Sequence, residues 1–410
     1  MSVETAGGSL LTQGQHLTFK PSSVVAERIG ALGRTEDVVF SPDQTRLAIA
    51  GFNENKVLVI QIKIVTENGV MSIQSEGCVE LRCPDFNRPH GLSWIDDGTL
   101  VIANRAGDVI IVSVPAVSNA GEAVEINPLF KLSEGSDGII KSPGSVAVTR
   151  LNDQYFDLLV CNNYRNYVSR HIIQRRNGFE VVAGLRLFAH DLKVPDSIAV
   201  SSDGELVAVS NHFGKRVDVF PNDAGSATHS HPVFSLGVVH YPHGLRFAMD
   251  DRLLLVADAG APLVHVFARD GIAWKEARSP LLSIKVIDDD SFRRGHANPQ
   301  EGGPKGLDIL ADGSLFVVSC EEVPIAFFDF RSVRDQLVEA DTTNHRQFRS
   351  SDARLLDTTI ATMKGQHDQI GTLRAEIAKL KAMRDRRPDR WLVRLLKRAA
   401  LKALGSGGKS

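Results

Sequence analysis

The sequence has few cysteines, few aromatic residues and no long apolar run. Four cysteines in 410 residues, none in a CxxC pair, are too few to staple the chain with disulfides, so we expect a reducing, cytoplasmic location. No uninterrupted stretch of about 18 apolar residues occurs, which argues against a membrane span. The first residues show neither the basic nor the apolar segment of a secretory signal, so we expect no such signal.

Charge is distributed unevenly along the chain. The formal net charge is −2, but residues 371–410 contain twelve Lys and Arg against three Asp and Glu, so residues 1–370 carry about −11. A hydrophobic content of 43% is enough for a buried core, and 34 glycines with only 6% aromatic residues favour many strands and turns. The composition therefore predicts a β-rich body followed by a basic C-terminal segment.

A repeated segment of about 50 residues determines the fold prediction. Each copy opens with Pro, one variable residue and a small residue, followed by an alternating apolar strand, and the five starts are Pro89, Pro143, Pro195, Pro242 and Pro304. Thr35 opens a sixth copy that lacks the proline. Regular spacing of this kind is typical of solenoids and propellers.

Each start is followed by an acidic or glycine turn and by a second and a third apolar strand. Asp97-Gly98, Asp203-Gly204 and Asp312-Gly313 are strong hairpin signals, because such turns need positive φ. A sheet of three or four antiparallel strands cannot bury both of its faces alone, whereas six sheets packed around an axis can. We therefore predict an all-β fold, a six-bladed β-propeller, with a solenoid or two separate β-domains as the alternatives.

The ring must also close. The sixth unit ends with the third-strand sequence from Ile325 to Phe330 and has no obvious fourth strand after it. A strand-like stretch from about Leu17 to Ile29 precedes the first unit, and we predict that this stretch completes the last blade. The segments "HGLRFAMDDRLLLVADAGAPLVHVF" and "DSIAVSSDGELVAVSNHFGKRVDVF" resemble the repeats of six-bladed propellers of the gluconolactonase, NHL and YVTN-repeat type. That resemblance covers residues 17–330 and implies the fold more than the function.

The residue after each repeat proline should point into a common funnel, because the innermost strands of a propeller start at one rim of the central channel. Four of these residues could ligate a divalent metal such as Zn, Mn, Fe or Ca: Glu36, His90, Asp196 and His243. Lys305 opposes a cation and favours an anionic ligand. The ends of the second strands add further polar candidates, with Asn104, Asn163 and Asn211 for ligand binding and His212 and Asp258, together with Asp196, for proton transfer.

The resemblance to gluconolactonases implies a metal site that can be compared position by position. Members of that family hold a divalent cation with a Glu on the first blade, an Asn on the fourth and an Asp on the fifth, which is also the proposed general base. Glu36 matches the first position, whereas Asp196 and His243 occupy the other two and Gly144 the third blade. The resemblance thus implies metal binding more directly than lactone hydrolysis.

Two functions are compatible with this funnel. The first is a binding or scaffolding module for a small anionic or carbohydrate-like ligand or a metal. The alternative is a metal-dependent hydrolase of the lactonase kind that uses Glu36, Asp196, His243 and His90. A water-filled polar channel without a ligand is the simplest reading of the same residues.

From about Arg331 the apolar period changes from two to that of a helix. We predict a disordered N-terminus at 1–16, the propeller at 17–330, a linker at 331–350, a coiled-coil arm at 351–387, a basic amphipathic helix at 388–404 and a flexible tail at 405–410. The arm could pair with a second copy of the chain, dock on the propeller or remain a single helix.

The predicted helix at 388–404 carries one Trp and a narrow apolar stripe beside basic residues. Such a helix suits reversible attachment to the inner membrane surface, or docking on a partner protein. Nucleic acid is the weaker candidate, because the segment lacks the interleaved aromatic residues of a single-strand binder.

Overall fold

The computed structural model describes residues 4–6, 9–133, 139–222, 231–269, 279–296 and 301–335. The predicted coiled-coil arm (351–387), basic helix (388–404) and tail (405–410), with most of the linker (331–350), lie outside these residues. The helical segments in the described ranges are too short to span a lipid bilayer.

A 3₁₀ helix spans Asn163–Arg165, residues 331–335 are helical, and thirty strands and two α-helices have both ends within these ranges. In chain order they are β1 (Glu4–Ala6), β2 (Ser9–Gln13), β3 (Gln15–His16), β4 (Thr18–Pro21), α1 (Ser23–Gly30), β5 (Thr35–Phe40), β6 (Arg46–Gly51), β7 (Lys56–Gln61), β8 (Lys63–Glu67), β9 (Val70–Ser75), β10 (Cys78–Arg82), β11 (Pro89–Asp96), β12 (Thr99–Asn104), β13 (Val109–Ser113), β14 (Ala123–Glu125), β15 (Pro128–Leu132), β16 (Pro143–Arg150), β17 (Tyr155–Asn162), β18 (Tyr167–Arg175), β19 (Phe179–Phe188), β20 (Pro195–Val200), β21 (Leu206–Asn211), β22 (Arg216–Pro221), β23 (Phe234–Leu236), β24 (Pro242–Ala248), β25 (Leu253–Asp258), β26 (Leu263–Ala268), β27 (Leu282–Lys285), α2 (Asp289–Arg294), β28 (Leu307–Ile309), β29 (Leu315–Val318) and β30 (Ala326–Asp329).

The described strands form a β-propeller with seven sheets, so the predicted count of six is wrong. The first strands of the six larger sheets are β5, β11, β16, β20, β24 and β28; each contacts the next, and β28 contacts β5, so that they surround a central channel. The seventh sheet has three strands, in the order β4-β9-β8. In the sequence, its hairpin β8–β9 is inserted between β7 and β10, the third and fourth strands of the first large sheet. This insertion does not follow the repeat pattern.

The core lies between neighbouring sheets, as the repeat argument requires. One apolar cluster, for example, joins Val39 and Val57 of the sheet that β5 opens to Leu92 and Ile102 of the sheet that β11 opens. Another joins Val38 of the first sheet to Val317 of the last one, across the closure of the ring. Each sheet therefore buries its faces against its neighbours.

An N-terminal strand closes the last sheet, but it is not the predicted one. Gln15 and His16 of β3 pair with β30, and the backbone N–H of Leu17 donates to the carbonyl of Phe327 at 2.8 Å. Residues 9–13, predicted to be disordered, form β2, which pairs with β27. The predicted strand from Leu17 to Ile29 is instead divided between β4 and the helix α1.

Helix α1 has a local cause. The hydroxyl of Ser22 caps its N-terminus by accepting from the N–H of Val25, and Val25 and Ile29, four residues apart, form the buried face. This short apolar run therefore folds as a helix and not as a strand, because Ser22 caps its N-terminus. Short apolar runs are ambiguous between strand and helix when read from sequence alone.

The small residue of each repeat has a steric reason. A Cβ on Gly91 would lie 2.5 Å from Cα of Ser145 on the neighbouring inner strand, and one on Gly306 would lie 2.8 Å from Cα of Asp37. The inner strands approach one another too closely for larger side chains at these positions. This close approach brings the preceding residue of each repeat to the channel.

Candidate functional site

A cluster of buried charged side chains lies at the end of the channel where the inner strands begin. Glu36, His90, Asp196, His243 and Lys305 are each no more than 3% exposed. They occupy the five side-chain-bearing positions that directly follow the repeat proline or its equivalent, so the structure brings the predicted funnel residues together. The sixth position is Gly144, where a Cβ would overlap the side-chain amide of Asn163.

Glu36, His90 and His243 form the tightest part of the cluster. One ligand atom from each of the three lies within 4.8 Å of the others. Nε2 of His243 is 3.4 Å from Oε2 of Glu36, and Nε2 of His90 is 3.7 Å from the same oxygen. Two imidazoles and a carboxylate thus converge on one point.

Asp196 lies on the other side of His243. Its Oδ2 is 3.2 Å from Nε2 of His243 and 3.6 Å from Nδ1 of His212. Its Oδ1 accepts from Nη2 of Arg105 at 2.9 Å and from the amide of Asn163. His243 is therefore held between two carboxylates, those of Asp196 and Glu36.

Lys305 is surrounded by acidic groups. Its Nζ lies 3.1 Å from Glu301, 3.5 Å from Glu36 and 3.9 Å from Glu321. Arg34 bridges the same three carboxylates, through an ion pair with Glu36 and contacts of 3.3 Å to Glu301 and 3.6 Å to Glu321. The ammonium group of Lys305 is thus already paired, which leaves it little capacity to attract an anionic ligand.

The three imidazoles differ in protonation. Burial, with the nearby Arg105, lowers the pKa of His90 to about 3, so its imidazole is neutral. Burial also lowers the pKa of His212, although Asp196 opposes this shift. For His243 burial acts in the same direction, but Asp196 and Glu36 outweigh it and raise the pKa. His243 is the imidazole of the cluster that favours a positive charge.

The two carboxylates that flank His243 are ionised. Burial alone would raise the pKa of Glu36, but Lys305 and Arg34 outweigh burial and hold that pKa well below its ordinary value. In the same way His243 and Arg105 outweigh burial at Asp196 and lower its pKa. Asp196 is therefore a poor proton acceptor and a good ligand for a cation.

Two polar atoms in the cluster have no hydrogen-bond partner among the described residues. They are Nη1 of Arg105 and Oδ1 of Asn163. Leaving a buried polar atom without a partner costs about 1–3 kcal/mol, so such atoms mark places where a water, an ion or a ligand belongs. The cavity between the inner-strand residues of the cluster measures about 10 Å³, room for roughly one water or one ion.

The predicted strand-end residues Asn104, Asn211 and Asp258 are not part of this cluster. The amide of Asn104 accepts from the N–H of Asn87 at 3.0 Å and donates to the carbonyl of Asp108 at 2.9 Å. Asn211 likewise accepts from the N–H of a preceding loop and donates to a loop carbonyl and a carboxylate. These amides fix the loops that connect one sheet to the next.

Asp258 is saturated in the same way. Its carboxylate accepts from the backbone N–H groups of His240, Tyr241 and Gly260 at 2.8 to 3.0 Å. It also contacts the imidazoles of His240 at 3.1 Å and His265 at 3.2 Å. Burial would raise its pKa, but these hydrogen bonds lower it below the ordinary value. The structure thus gives Asp258 a role in holding a loop and no contact with the cluster's ligand atoms.

Three charged residues of the cluster escaped sequence reasoning: Arg34, Arg105 and Glu301. Arg105 follows the end of β12, as Asn163 follows the end of β17 and His212 the end of β21. The repeat could have identified Arg105, because Asn163 and His212 at the equivalent positions were already candidates from the sequence. Arg34 and Glu301 lie outside the repeated positions, and no sequence signal distinguished them.

Comparison with known proteins yields structural neighbours only. No protein-family model and no curated protein matches the chain. Similar solved structures include a predicted 6-phosphogluconolactonase of Bacteroides fragilis, at 12% identity over 72% of this chain and 79% of that one, with a TM-score of 0.42. A second such protein, from Bacteroides uniformis, is 11% identical over 71% of this chain and 80% of that one, with a TM-score of 0.44.

A third neighbour is the periplasmic gluconolactonase of Pseudomonas aeruginosa. It is 14% identical over 72% of this chain and 80% of that one, with a TM-score of 0.44. At these identities and TM-scores the similarity says nothing about individual channel residues. The chemistry of the site follows from its own geometry.

Proposed function

We propose that the propeller is a binding module whose channel holds a divalent cation through Glu36, His90 and His243, with Asp196 as the fourth ligand. The observation that carries this proposal is the convergence of the first three ligand atoms within 4.8 Å, where Oε2 of Glu36 lies 3.4 and 3.7 Å from the two imidazole nitrogens. Metal bonds to nitrogen and oxygen are about 2.0–2.6 Å long, so ligand atoms of one ion lie at most about 5 Å apart.

The tautomer of His90 supports this proposal. Its Nδ1 lies 2.7 Å from the carbonyl of Gly144 and must donate there, so the unprotonated nitrogen is Nε2, on the side of Glu36. Nε2 accepts a hydrogen bond from Nη2 of Arg105 at 2.6 Å. A cation at Nε2 takes the place of that N–H group, so we expect Nη2 of Arg105 to give up this hydrogen bond when the ion binds, while the guanidinium stays beside the site.

The ligand set favours particular metals. Two imidazoles and two carboxylates suit Zn, Mn or Fe, whereas calcium prefers a set made entirely of oxygens. The positive charge of Lys305 opposes any cation, but the carboxylates of Glu301 and Glu321 offset this charge in addition to Glu36. Manganese and zinc are therefore the ions to test first.

An anionic ligand would reach the same centre through Arg105. The guanidinium has one nitrogen, Nη1, without a partner among the described residues, and its side chain is 12% exposed. Arg105 is a better candidate for this role than Lys305, which three carboxylates already surround. A carboxylate or phosphate of a small ligand would pair with Nη1 beside the ion.

Calorimetric titration with Mn²⁺ and Zn²⁺ tests the cation site. We expect one ion per chain, and binding at least 100-fold weaker in His243→Gln and in His90→Gln, because each substitution removes a ligand. His190→Gln is the matched control, since His190 lies near Asp191 and outside the cluster. Absence of binding by the folded wild-type protein, or equal binding by all three variants, would refute the site.

A hydrolase is the second candidate, and His212 is the observation that favours it. Its Nδ1 lies 3.2 Å from the carbonyl of Pro242 and donates there, so the neutral imidazole has a free lone pair at Nε2. Oε1 of Glu301 is 3.4 Å from Nε2. A bound cation would polarise a substrate carbonyl, and His212 could accept a proton from the attacking water.

Turnover of δ-valerolactone by the Mn²⁺-loaded protein, followed with a pH indicator, tests this second candidate. We expect His212→Gln to retain the cation and to lose at least 100-fold in kcat, the usual range for a general base. Hydrolysis that is absent from the loaded wild-type protein leaves the binding module as the function. Equal rates for wild type and His212→Gln would remove His212 from the reaction.

A further inference from the structure

A second and larger cavity lies at the opposite end of the channel. Its volume is about 510 Å³, and it shares no lining residue with the small cavity in the charged cluster. Each inner strand contributes the residue three positions after its cluster residue: Val39, Ser93, Ala147, Ala199, Arg246 and Asp308. The same six strands thus build two different cavities, one at each end.

The size of this cavity follows from the residues of that ring. Four of the six are Val, Ser or Ala, and such short side chains cannot fill the space where the channel widens. Trp94, Val148 and Phe247 extend the apolar part of the wall. Polar and apolar groups share the rest of the wall, and the cavity volume lies within the range of about 300–1,000 Å³ that is typical of small-molecule sites.

Arg246 is the polar group that a ligand would meet. Its Nε donates to Asp308 at 3.1 Å and its Nη1 to the carbonyl of Leu245 at 2.8 Å. Its Nη2 is 3.7 Å from Asp37, too far for a hydrogen bond. Nη2 therefore has N–H groups available to an acceptor in the cavity.

The two carboxylates beside Arg246 are already used. Asp308 accepts from the backbone N–H groups of Phe40 at 2.7 Å and Ile309 at 3.0 Å, in addition to Arg246. Asp37 accepts from the N–H groups of Leu92 and Val38, each at 2.9 Å. These bonds tie neighbouring sheets together, and they leave the carboxylates little capacity to receive a ligand donor.

The charges of the wall balance. Its cationic residues are Arg150 and Arg246 and its acidic residues are Asp251 and Asp308, so the wall has no excess charge of either sign to hold an ion. We infer that this cavity is a second binding site, for an uncharged molecule with an apolar chain and one acceptor oxygen that bonds to Nη2 of Arg246.

Three probes of equal chain length test this inference by saturation-transfer NMR and calorimetry: 2-octanone, octanoate and octylammonium. We expect 2-octanone to bind one per chain and at least 10-fold tighter than either charged probe. Octanoate or octylammonium binding more tightly than 2-octanone would overturn the ligand class. No binding by any probe would overturn the site.

Ala147→Phe locates the binding, because a ring at this position would fill the cavity. We expect it to weaken 2-octanone at least 10-fold, whereas Ala123→Phe, on the exposed outer strand β14, should leave binding unchanged. Equal affinity of the two variants would place the probe elsewhere and overturn the site. If Ala147→Phe does not fold by circular dichroism, Ala147→Leu takes its place with the same expectation.

Two further variants complete the test. Arg246→Lys keeps the charge and loses the outer N–H group, so we expect 2-octanone to bind several-fold more weakly; unchanged affinity would remove Arg246 from the site. His243→Gln alters the charged cluster at the other end and should leave 2-octanone affinity unchanged. These variants therefore test the second cavity independently of the proposed cation site.

Discussion

Two sets of buried polar residues recur with the sheets of the propeller. Those of the first set, such as His90 and His243, stand at the start of the inner strands and face one another in the channel. Those of the second set, such as Asn211 and Asp258, stand at the end of the second strands and bond to the loops that lead to the next sheet. Both sets are polar, buried and periodic, yet only the first forms the candidate site.

The difference shows that burial and repetition alone do not indicate a ligand site. Residues of the second set have all their acceptors occupied by backbone N–H groups, as Asp258 shows. In the first set, the carboxylates of Glu36 and Asp196 instead face side chains: His243 lies 3.4 and 3.2 Å from them, and Lys305 and Arg105 pair with one each. The kind of partner, a loop N–H group or a side chain from another sheet, therefore separates the structural set from the candidate site.

The largest change in unfolding free energy is expected from a substitution in the second set, at Asp258. Asp258→Asn places an amide N–H₂ among backbone and imidazole donors, and we expect the free energy of unfolding to fall by about 3–5 kcal/mol, as when a buried charged partner is removed. Urea denaturation followed by circular dichroism measures the loss. Mn²⁺ affinity of the folded variant should be unchanged, and a loss of affinity would place Asp258 in the site after all.

The same substitution has a characteristic pH dependence. The lowered pKa of Asp258 means that its stabilisation is present above about pH 4 and is lost as pH falls through the folded value. Its hydrogen bond raises the pKa of His240, whose contribution is full below about pH 6.5 and is lost as pH rises through the folded value. The difference in unfolding free energy between wild type and Asp258→Asn should therefore be greatest between about pH 4 and 6.5. Denaturation at pH 3, 5 and 8 measures it, and a difference independent of pH would contradict the assignment.

The repeat made most of the propeller predictable. First and second strands such as β11 and β12 were predicted because an Asp-Gly turn separates the two apolar runs, and third strands such as β13 because a further apolar run follows. The seventh sheet escaped because β4, β8 and β9 do not belong to the repeat, and β4 pairs with β9 in parallel across more than 50 residues. Such a pairing leaves no local pattern in the sequence.

The residues of the candidate site were predictable where the repeat fixes the direction in which a side chain points. Successive side chains of a strand point to opposite sides, so the end of a strand and the following residue serve different surroundings. Sequence reasoning assigned Asn104, Asn163 and Asn211 alike to ligand binding, although Asn163 follows its strand and the other two end theirs. Arg34 and Glu301 join the cluster from outside the repeat, which only the folded chain reveals.

Adding a methyl group at a channel glycine and at a surface glycine compares how tightly the two places are packed. In Gly144→Ala the new methyl group would overlap Asn163 and push it away from Asp196, so we expect a loss of about 1–3 kcal/mol in unfolding free energy, the usual range for overpacking. Gly30→Ala, at the end of α1, is the matched control because nothing lies within 4 Å of its added Cβ. Thermal unfolding of both variants measures the contrast, and equal midpoints would show that the inner strands have room at Gly144.

The smallest expected effect is the difference in unfolding free energy between substitutions of two adjacent residues, Asn162 and Asn163. Asn162 accepts from the N–H of Lys141 at 2.7 Å and donates to Ser169 at 2.9 Å, whereas Asn163 donates to Asp196 in the cluster. We expect Asn162→Ala to cost about 1 kcal/mol more in unfolding free energy than Asn163→Ala, because it removes more hydrogen bonds. Only Asn163→Ala should alter Mn²⁺ affinity, since it releases a carboxylate oxygen of Asp196. Parallel denaturation and calorimetry of the two variants decide the matter: a reversed order, in stability or in affinity, would mean that the channel and the loops divide their polar residues differently from the hydrogen bonds described above.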